Sequence, residues 1–247
     1  MASAAIVAPE GHRTVAAAAA VVPFTMEPAK TSESVVTLAS RVNAAVLALE
    51  GFVKQSSHPE ALESAVRSYL AFQEAHPEDV KKPYLYFVDF GLPGNTPRGY
   101  VFDMKDLSLV DGPFTVAHGR GSAKSGNVVP SKFSNRNGSA ATSLGLYVAQ
   151  ELYKFTGKAA GKRYTSVGMR MTGVSGSYND AARERGVVAH GAPYVTAKGA
   201  GRSEGCPAVE PARAEKLLPL LSNGALVFLF APKAEWLAED PWVSAAG

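Results

Sequence analysis

The chain holds one thiol, Cys206, in the run Gly201-Arg202-Ser203-Glu204-Gly205-Cys206-Pro207, and a histidine, His190, that ends the apolar run Val187-Val188-Ala189 a short loop earlier. Thiolate chemistry on a carbonyl carbon needs a base near the sulfur, a setting that favours the thiolate, and backbone donors aimed at the developing oxyanion. Gly205 lets the chain turn tightly before the sulfur and Pro207 fixes its exit, so the amides of Gly205 and Cys206 are the expected oxyanion donors. His190, at the end of a strand-like run and followed by Gly191, stands where a base belongs. The Gly191 carbonyl or a nearby hydroxyl, Ser203, is the candidate for orienting its ring. Arg202 supplies a cation for a substrate carboxylate and favours the thiolate.

Taken by residue type alone, the pair stays open. An isolated cysteine is a buried filler or a reactive thiol, and an isolated histidine is a base or a surface or capping residue. A single cysteine does exclude an internal disulfide and a multi-thiolate zinc site. A second imidazole, His118 in Val116-Ala117-His118-Gly119-Arg120-Gly121, is expected to line the same cleft. No carboxylate stands at ligand spacing to the two histidines, so no metal and no other cofactor is expected.

The elements that must position these residues show in the apolar rhythm. Val35, Leu38, Ala39, Val42, Ala45, Val46 and Leu49 repeat at helical spacing, which predicts a helix capped by Thr31 or Ser32. Ser57 with Glu60 reads as a capping box opening a second helix through Leu62, Ala65, Val66, Tyr69 and Leu70, stopped by Pro77. After Pro83 the texture changes to short β-branched and aromatic runs separated by turn residues. Strands are predicted at 84–90, 100–103, 114–117, 145–148, 167–171, 187–190 and 225–230, and one helix at 211–221.

Many short strands with Gly-rich connections predict a closed or sandwiched, mainly β (α+β) domain over 83–247. A helical pair over 31–82 forms a small N-terminal appendage, behind an Ala-rich tail or signal remnant over 1–30. The glycines around Arg120 are followed by no helix, so a dinucleotide-binding loop is excluded. With 25 basic against 22 acidic residues and no long block of either sign, the chain carries no nucleic-acid footprint. The apolar stretch from Val15 to Phe24 is too short to span a bilayer.

His190-Gly191 followed by Ser203-Glu204-Gly205-Cys206 resembles the signature of the L,D-transpeptidase catalytic domain, within it most closely the murein L,D-transpeptidase subgroup. Asp89-Phe90-Gly91, Val116 to Ser122, Phe133-Ser134-Asn135 and Ser143-Leu144-Gly145 are similar to that subgroup's pattern, so the likeness covers roughly 83–237. The resemblance implies an L,D-transpeptidase-like β-sandwich or barrel, exported to the cell envelope and acting on peptidoglycan stem peptides. It implies that Cys206 forms a thioester with release of D-alanine, that His190 is the base, and that an amine accepts the acyl group to give a 3-3 cross-link. Water as acceptor would make the chain an L,D-carboxypeptidase, and a catalytically silent wall-binding module is the reading from another class. The resemblance departs at Glu204, where the family has a histidine, and at Pro207-Ala208-Val209, which lack the family's arginine after the cysteine. Arg202 or Arg170 is then expected to supply the cation, with Gly119 and Ser143 as further substrate contacts and Asn135 a weaker one.

Overall fold

A computed structural model describes residues 37–245. The expected tail over 1–30 and the expected cap at Thr31 or Ser32 lie outside that range. Helix α1 (Leu38–Leu49) is capped by Thr37, whose hydroxyl accepts from the Ser40 amide at 3.2 Å. Helix α2 (Ala61–Ala75) follows.

Ser57 does not cap α2. Its amide and its hydroxyl both donate to the carboxylate of Asp89, at 2.7 and 2.6 Å, and Glu60 takes the N-cap position with no side-chain bond. The reason is strength: a buried carboxylate accepts charge-assisted hydrogen bonds that a neutral helix amide cannot match. The contact ties the lead into α2 to the end of the first strand.

Twelve strands follow in chain order: β1 (Tyr84–Asp89), β2 (Gly99–Asp103), β3 (Ser108–Phe114), β4 (His118–Gly119), β5 (Gly145–Ala159), β6 (Lys162–Gly173), β7 (Val188–Gly191), β8 (Val195–Thr196), β9 (Gly199–Ala200), β10 (Arg202–Ser203), β11 (Ala208–Val209) and β12 (Leu226–Phe230). Helices α3 (Pro211–Leu221) and α4 (Ala234–Glu239) flank β12. Eight strands form one mixed sheet in the order β11-β7-β6-β5-β12-β1-β2-β3, while β10 pairs with β4 and β8 with β9. The two edges of the large sheet meet: Ala117, just beyond β3, bridges Ala208 in β11, its amide donating to the Ala208 carbonyl at 2.8 Å. The sheet therefore curls toward closure, the mainly β architecture that the short strands predict.

Both faces of the central strands are buried, which is why β1 and β12 read as unbroken apolar runs. Leu85, Phe87, Phe228 and Phe230 point to one side, against Val42 and Leu49 of α1 and Ala65 and Val66 of α2. Tyr86, Val88, Val227 and Leu229 point into the curl with Tyr147, Met169 and Met171, and Leu217, Leu218 and Leu221 of α3 close that space. Pairing within the sheet is parallel between β1 and β12, and between β7 and β11.

The predicted strands at 145–148 and 167–171 are only the rooted ends of a long hairpin. β5 and β6 run on for 15 and 12 residues to a two-residue turn at Ala160-Gly161, both at positive φ (48° and 77°). Propensity missed the outer half because it carries Lys154, Gly157 and Lys158 among its aromatic residues. Replacing Ser57 by Ala should lower the unfolding free energy by about 1–3 kcal/mol, since Asp89 loses an acceptor-saturating bond while staying buried; chemical denaturation curves measure it.

Candidate active site

Backbone pairing brings the cysteine to the histidine. The parallel register sets Ala208 opposite His190, with the His190 amide donating to the Pro207 carbonyl at 3.3 Å. Cys206 is then carried to the strand that holds His190, and both side chains line one cavity of about 440 Å³. Tyr153, Phe155, Tyr164 and Tyr194 also line it, together with Arg202 and Glu204.

The turn before the sulfur is closed by Ser203. Its hydroxyl donates to the Cys206 carbonyl at 2.6 Å and accepts from the Gly205 amide at 3.1 Å. Ser203 thus shapes the loop, and the His190 ring is oriented elsewhere. The Gly205 amide, expected as an oxyanion donor, is occupied by that same hydroxyl, because one serine oxygen can both give and take a hydrogen bond. Among the described residues the Cys206 amide has no acceptor. Gly205 sits at φ +128°, and a Cβ there would lie 3.0 Å from the Ala141 carbonyl oxygen, so glycine is required. Gly119 is equally confined: a Cβ on it would meet the Gly205 Cα at 2.8 Å and the Ala140 carbonyl at 2.3 Å. Its role in the geometry is to let β4 press against the cysteine loop.

His190 is buried, and its Nδ1 lies 3.1 Å from the Gly191 carbonyl oxygen. A carbonyl only accepts, so Nδ1 carries the proton and Nε2 keeps its lone pair. The Phe155 ring packs on the imidazole, centroids 4.7 Å apart. Burial lowers the imidazole pKa below its ordinary value, opposed by the bond to Gly191. Burial raises the Cys206 thiol, Glu204 adds to the rise, and the Val188 amide and the Arg185 guanidinium pull it back down. Both shifts favour a neutral thiol beside a neutral imidazole at rest, rather than a standing ion pair.

Arg185, unmarked in the sequence, is the cation that reaches the sulfur's field. Its guanidinium donates to the Ala141 carbonyl at 2.8 Å, to Ser139 Oγ at 3.3 Å and to Ser143 Oγ at 3.2 Å. With Arg120, Asn137, Gly138 and Glu204 it lines a second cavity, about 280 Å³, that also opens on Cys206. It lies far from the Ser-x-Gly-Cys run in sequence, so no local motif signals it. Ser143, expected against substrate, is buried and holds Arg185 in place while sharing a 2.8 Å bond with the Tyr147 hydroxyl.

The remaining expected contacts divide. Arg202 lies at the cleft, anchored by a 2.9 Å bond to the Ala123 carbonyl. Arg170 does not face it: its guanidinium pairs with Glu151 at 3.2 Å and lies over the Tyr153 ring at 4.6 Å. His118 is fully buried and lines neither cavity of Cys206. Its Nδ1 accepts from Arg98 at 3.0 Å, and burial with the Arg98 charge lowers its pKa to about 4, so it stays neutral. Asn135 bonds Asp180 and the Ser177 carbonyl, on a different cavity. As for metal ligands, His76, Glu78 and Asp79 gather donor atoms within 4.8 Å of one another after α2, and none of them lines the Cys206 cavities.

A neutral imidazole with its Nε2 unprotonated and the chain's one thiol line the same aromatic-walled cleft, the residue types that thiol-dependent acyl transfer uses. Residues 53–230 match the family model described as the L,D-transpeptidase catalytic domain, and the chain belongs to that family. Among solved structures, an L,D-transpeptidase from Mycobacterium smegmatis is 16% identical over 60% of this chain and 59% of its own, with a TM-score of 0.38. The L,D-transpeptidase LdtMt1, solved in complex with imipenem, is 14% identical over 60% and 59%, with a TM-score of 0.37. An L,D-transpeptidase from Stackebrandtia nassauensis is 15% identical over 75% and 77%, with a TM-score of 0.36. The chain thus spans 59% of the length of each of the first two. No curated protein matches it.

The thiol's setting makes its alkylation a test of these electrostatics. Iodoacetamide labelling of Cys206 should reach half its limiting rate at a higher pH than free cysteine, because the folded thiol is harder to ionise. Arg185→Gln should move that midpoint higher still, since the cation favours the thiolate. Labelling rates measured across pH, with intact mass as the readout, decide both.

Proposed function

We propose that this protein is a peptidoglycan L,D-transpeptidase of the cell envelope, with Cys206 as nucleophile and His190 as its base. The observation that carries the reading is the β7·β11 register, which sets the chain's one thiol and a correctly tautomerised imidazole in the same cleft. In the first half-reaction His190 Nε2 takes the thiol proton as the sulfur attacks the carbonyl carbon at the L-centre of a stem-peptide diamino acid. The oxyanion forms against the Cys206 amide, the donor left without an internal acceptor. Collapse breaks the bond to the terminal D-alanine, whose amine takes the proton from the imidazolium, and a thioester remains.

In the second half-reaction an acceptor amine attacks the thioester, passes its proton through His190, and the thiol is restored with a new amide bond. Starting neutral, the pair needs no charge separation until substrate has displaced water from the cleft. Arg185 steadies the thiolate as it forms and leaves at each end of the cycle.

Transfer to an amine is favoured over hydrolysis by the two cavities that meet at the sulfur. An acyl-enzyme can occupy the larger, aromatic-walled one while the acceptor approaches through the smaller, arginine-lined one. A reaction with water needs no second approach of that size. Of the cations expected at the site, Arg202 lines the cleft and is the one we assign to a substrate carboxylate, while Arg170 is engaged by Glu151.

Incubation with disaccharide-tetrapeptides followed by mass analysis of the products is the test. Cross-linked dimers are expected, and Cys206→Ala should abolish them, with His190→Ala lowering the rate by about 100-fold or more. Trimmed tripeptides alone would make the chain a carboxypeptidase, and product formation by Cys206→Ala would overturn the assignment. A carbapenem should add its mass to the intact protein and fail to do so with Cys206→Ala.

A further inference from the structure

The outer half of the β5–β6 hairpin is charged in one sense only. Between Leu152 and Asn179 the chain has no Asp or Glu, and it carries Lys154, Lys158, Lys162, Arg163 and Arg170. Arg170 is paired with Glu151; among the described residues the other four have no carboxylate within ion-pair distance. Lys158 stands directly opposite Arg163 across the hairpin, with Lys162 one position on, opposite Ala159. Like charges facing each other across antiparallel strands destabilise the pair. A merely solvated hairpin would interleave signs to avoid that cost.

These same side chains, Lys158, Lys162 and Arg163, line a cavity of about 640 Å³ under the hairpin turn, closed on the other side by Pro193 and Tyr194. The cavity is continuous in its lining with the cleft of Cys206: Lys158, Tyr164, Tyr194 and Arg202 belong to both. One extended ligand can therefore reach from the sulfur to the hairpin turn. What would relieve the repulsion is a ligand bearing several negative charges.

We propose that this cavity binds the internal carboxylates of the peptide that reacts at Cys206, so that the protein selects stem peptides whose side carboxylates are free over those in which they are amidated. The proposal rests on the functional reading above and adds to it the charge class of the substrate. Lys158, Lys162 and Arg163 are the binding residues, and Arg202 bridges them to the reacting centre.

Two stem tetrapeptides serve as probes, identical in sequence and terminal carboxylate and differing only in amidation of the internal carboxylates. Their KM values are compared in the unsubstituted protein, and their binding is measured directly by titration into Cys206→Ala protein. The free-acid peptide should bind at least about tenfold more tightly, the sum of several individually weak exposed charge pairs, and its KM should rise with salt. The triple variant Lys158→Gln, Lys162→Gln, Arg163→Gln should erase the preference, while Lys158→Arg, Lys162→Arg, Arg163→Lys should keep it, which separates charge from a damaged hairpin. In the free protein, Lys158→Glu should raise the melting temperature by placing opposite charges across the strands. Equal KM and equal affinity for the two peptides, or a preference that survives the Gln triple variant, would overturn the proposal and leave the transpeptidase reading standing. Failure of both peptides to bind or react would overturn both.

Discussion

The site depends on a single backbone pairing, the parallel run of β11 beside β7. Cys206 and His190 belong to separate segments, and nothing in their side chains draws them together. The hydrogen bonds between His190 and Pro207 and between Ala117 and Ala208 do, by fixing β11 at the seam where the curled sheet nearly closes. A seam strand is held on both sides, so the sulfur one residue before Pro207 inherits the rigidity of the sheet while remaining at its rim. That combination suits a nucleophile: backbone precision below, open cavities above.

A buried polar chain supports the seam from the far side. Arg98 is fully buried and donates to the Leu92 and Val116 carbonyls and to His118, over the ring of Phe90. His118 begins β4, which pairs with β10, the strand that leads into the cysteine turn. Asp89, whose amide donates to the Arg98 carbonyl at 2.9 Å and whose charge favours the guanidinium, gathers Ser57 and Gly91. A guanidinium and a carboxylate held this way are costly to bury and costlier to leave partnerless. The network thereby fixes how the lead into α2, the end of β1 and the cysteine loop meet.

Glu204 and Arg185 show how charge is apportioned at the sulfur. Glu204 is held by Arg120 at 2.8 Å on the exposed rim, and it disfavours the thiolate. Arg185 opposes it, its guanidinium held by hydrogen bonds to the Ser139–Ser143 segment.

The sequence by itself determined most of the strand-forming runs and the helix at 211–221, because period-2 burial and turn residues are local properties, although the run read at 114–117 meets β3 (Ser108–Phe114) only at its last residue; it supplied one thiol and one histidine without fixing that they share a cleft. It also carried the glycine at 205, whose positive φ no other residue accepts readily. Only the tertiary structure decided where hydrogen-bonding side chains spend their bonds. Ser57 reads as a helix cap until Asp89 is beside it, Ser203 as a ring orienter until the turn closes on it, Arg170 as a substrate cation until Glu151 takes it, and His118 as a cleft residue until Arg98 buries it. Arg185 and the unpaired charges of the hairpin have no local signature at all. Each of these outcomes is a competition among partners distant in sequence, and electrostatic and hydrogen-bond competition is settled by distance in space, which local sequence does not contain.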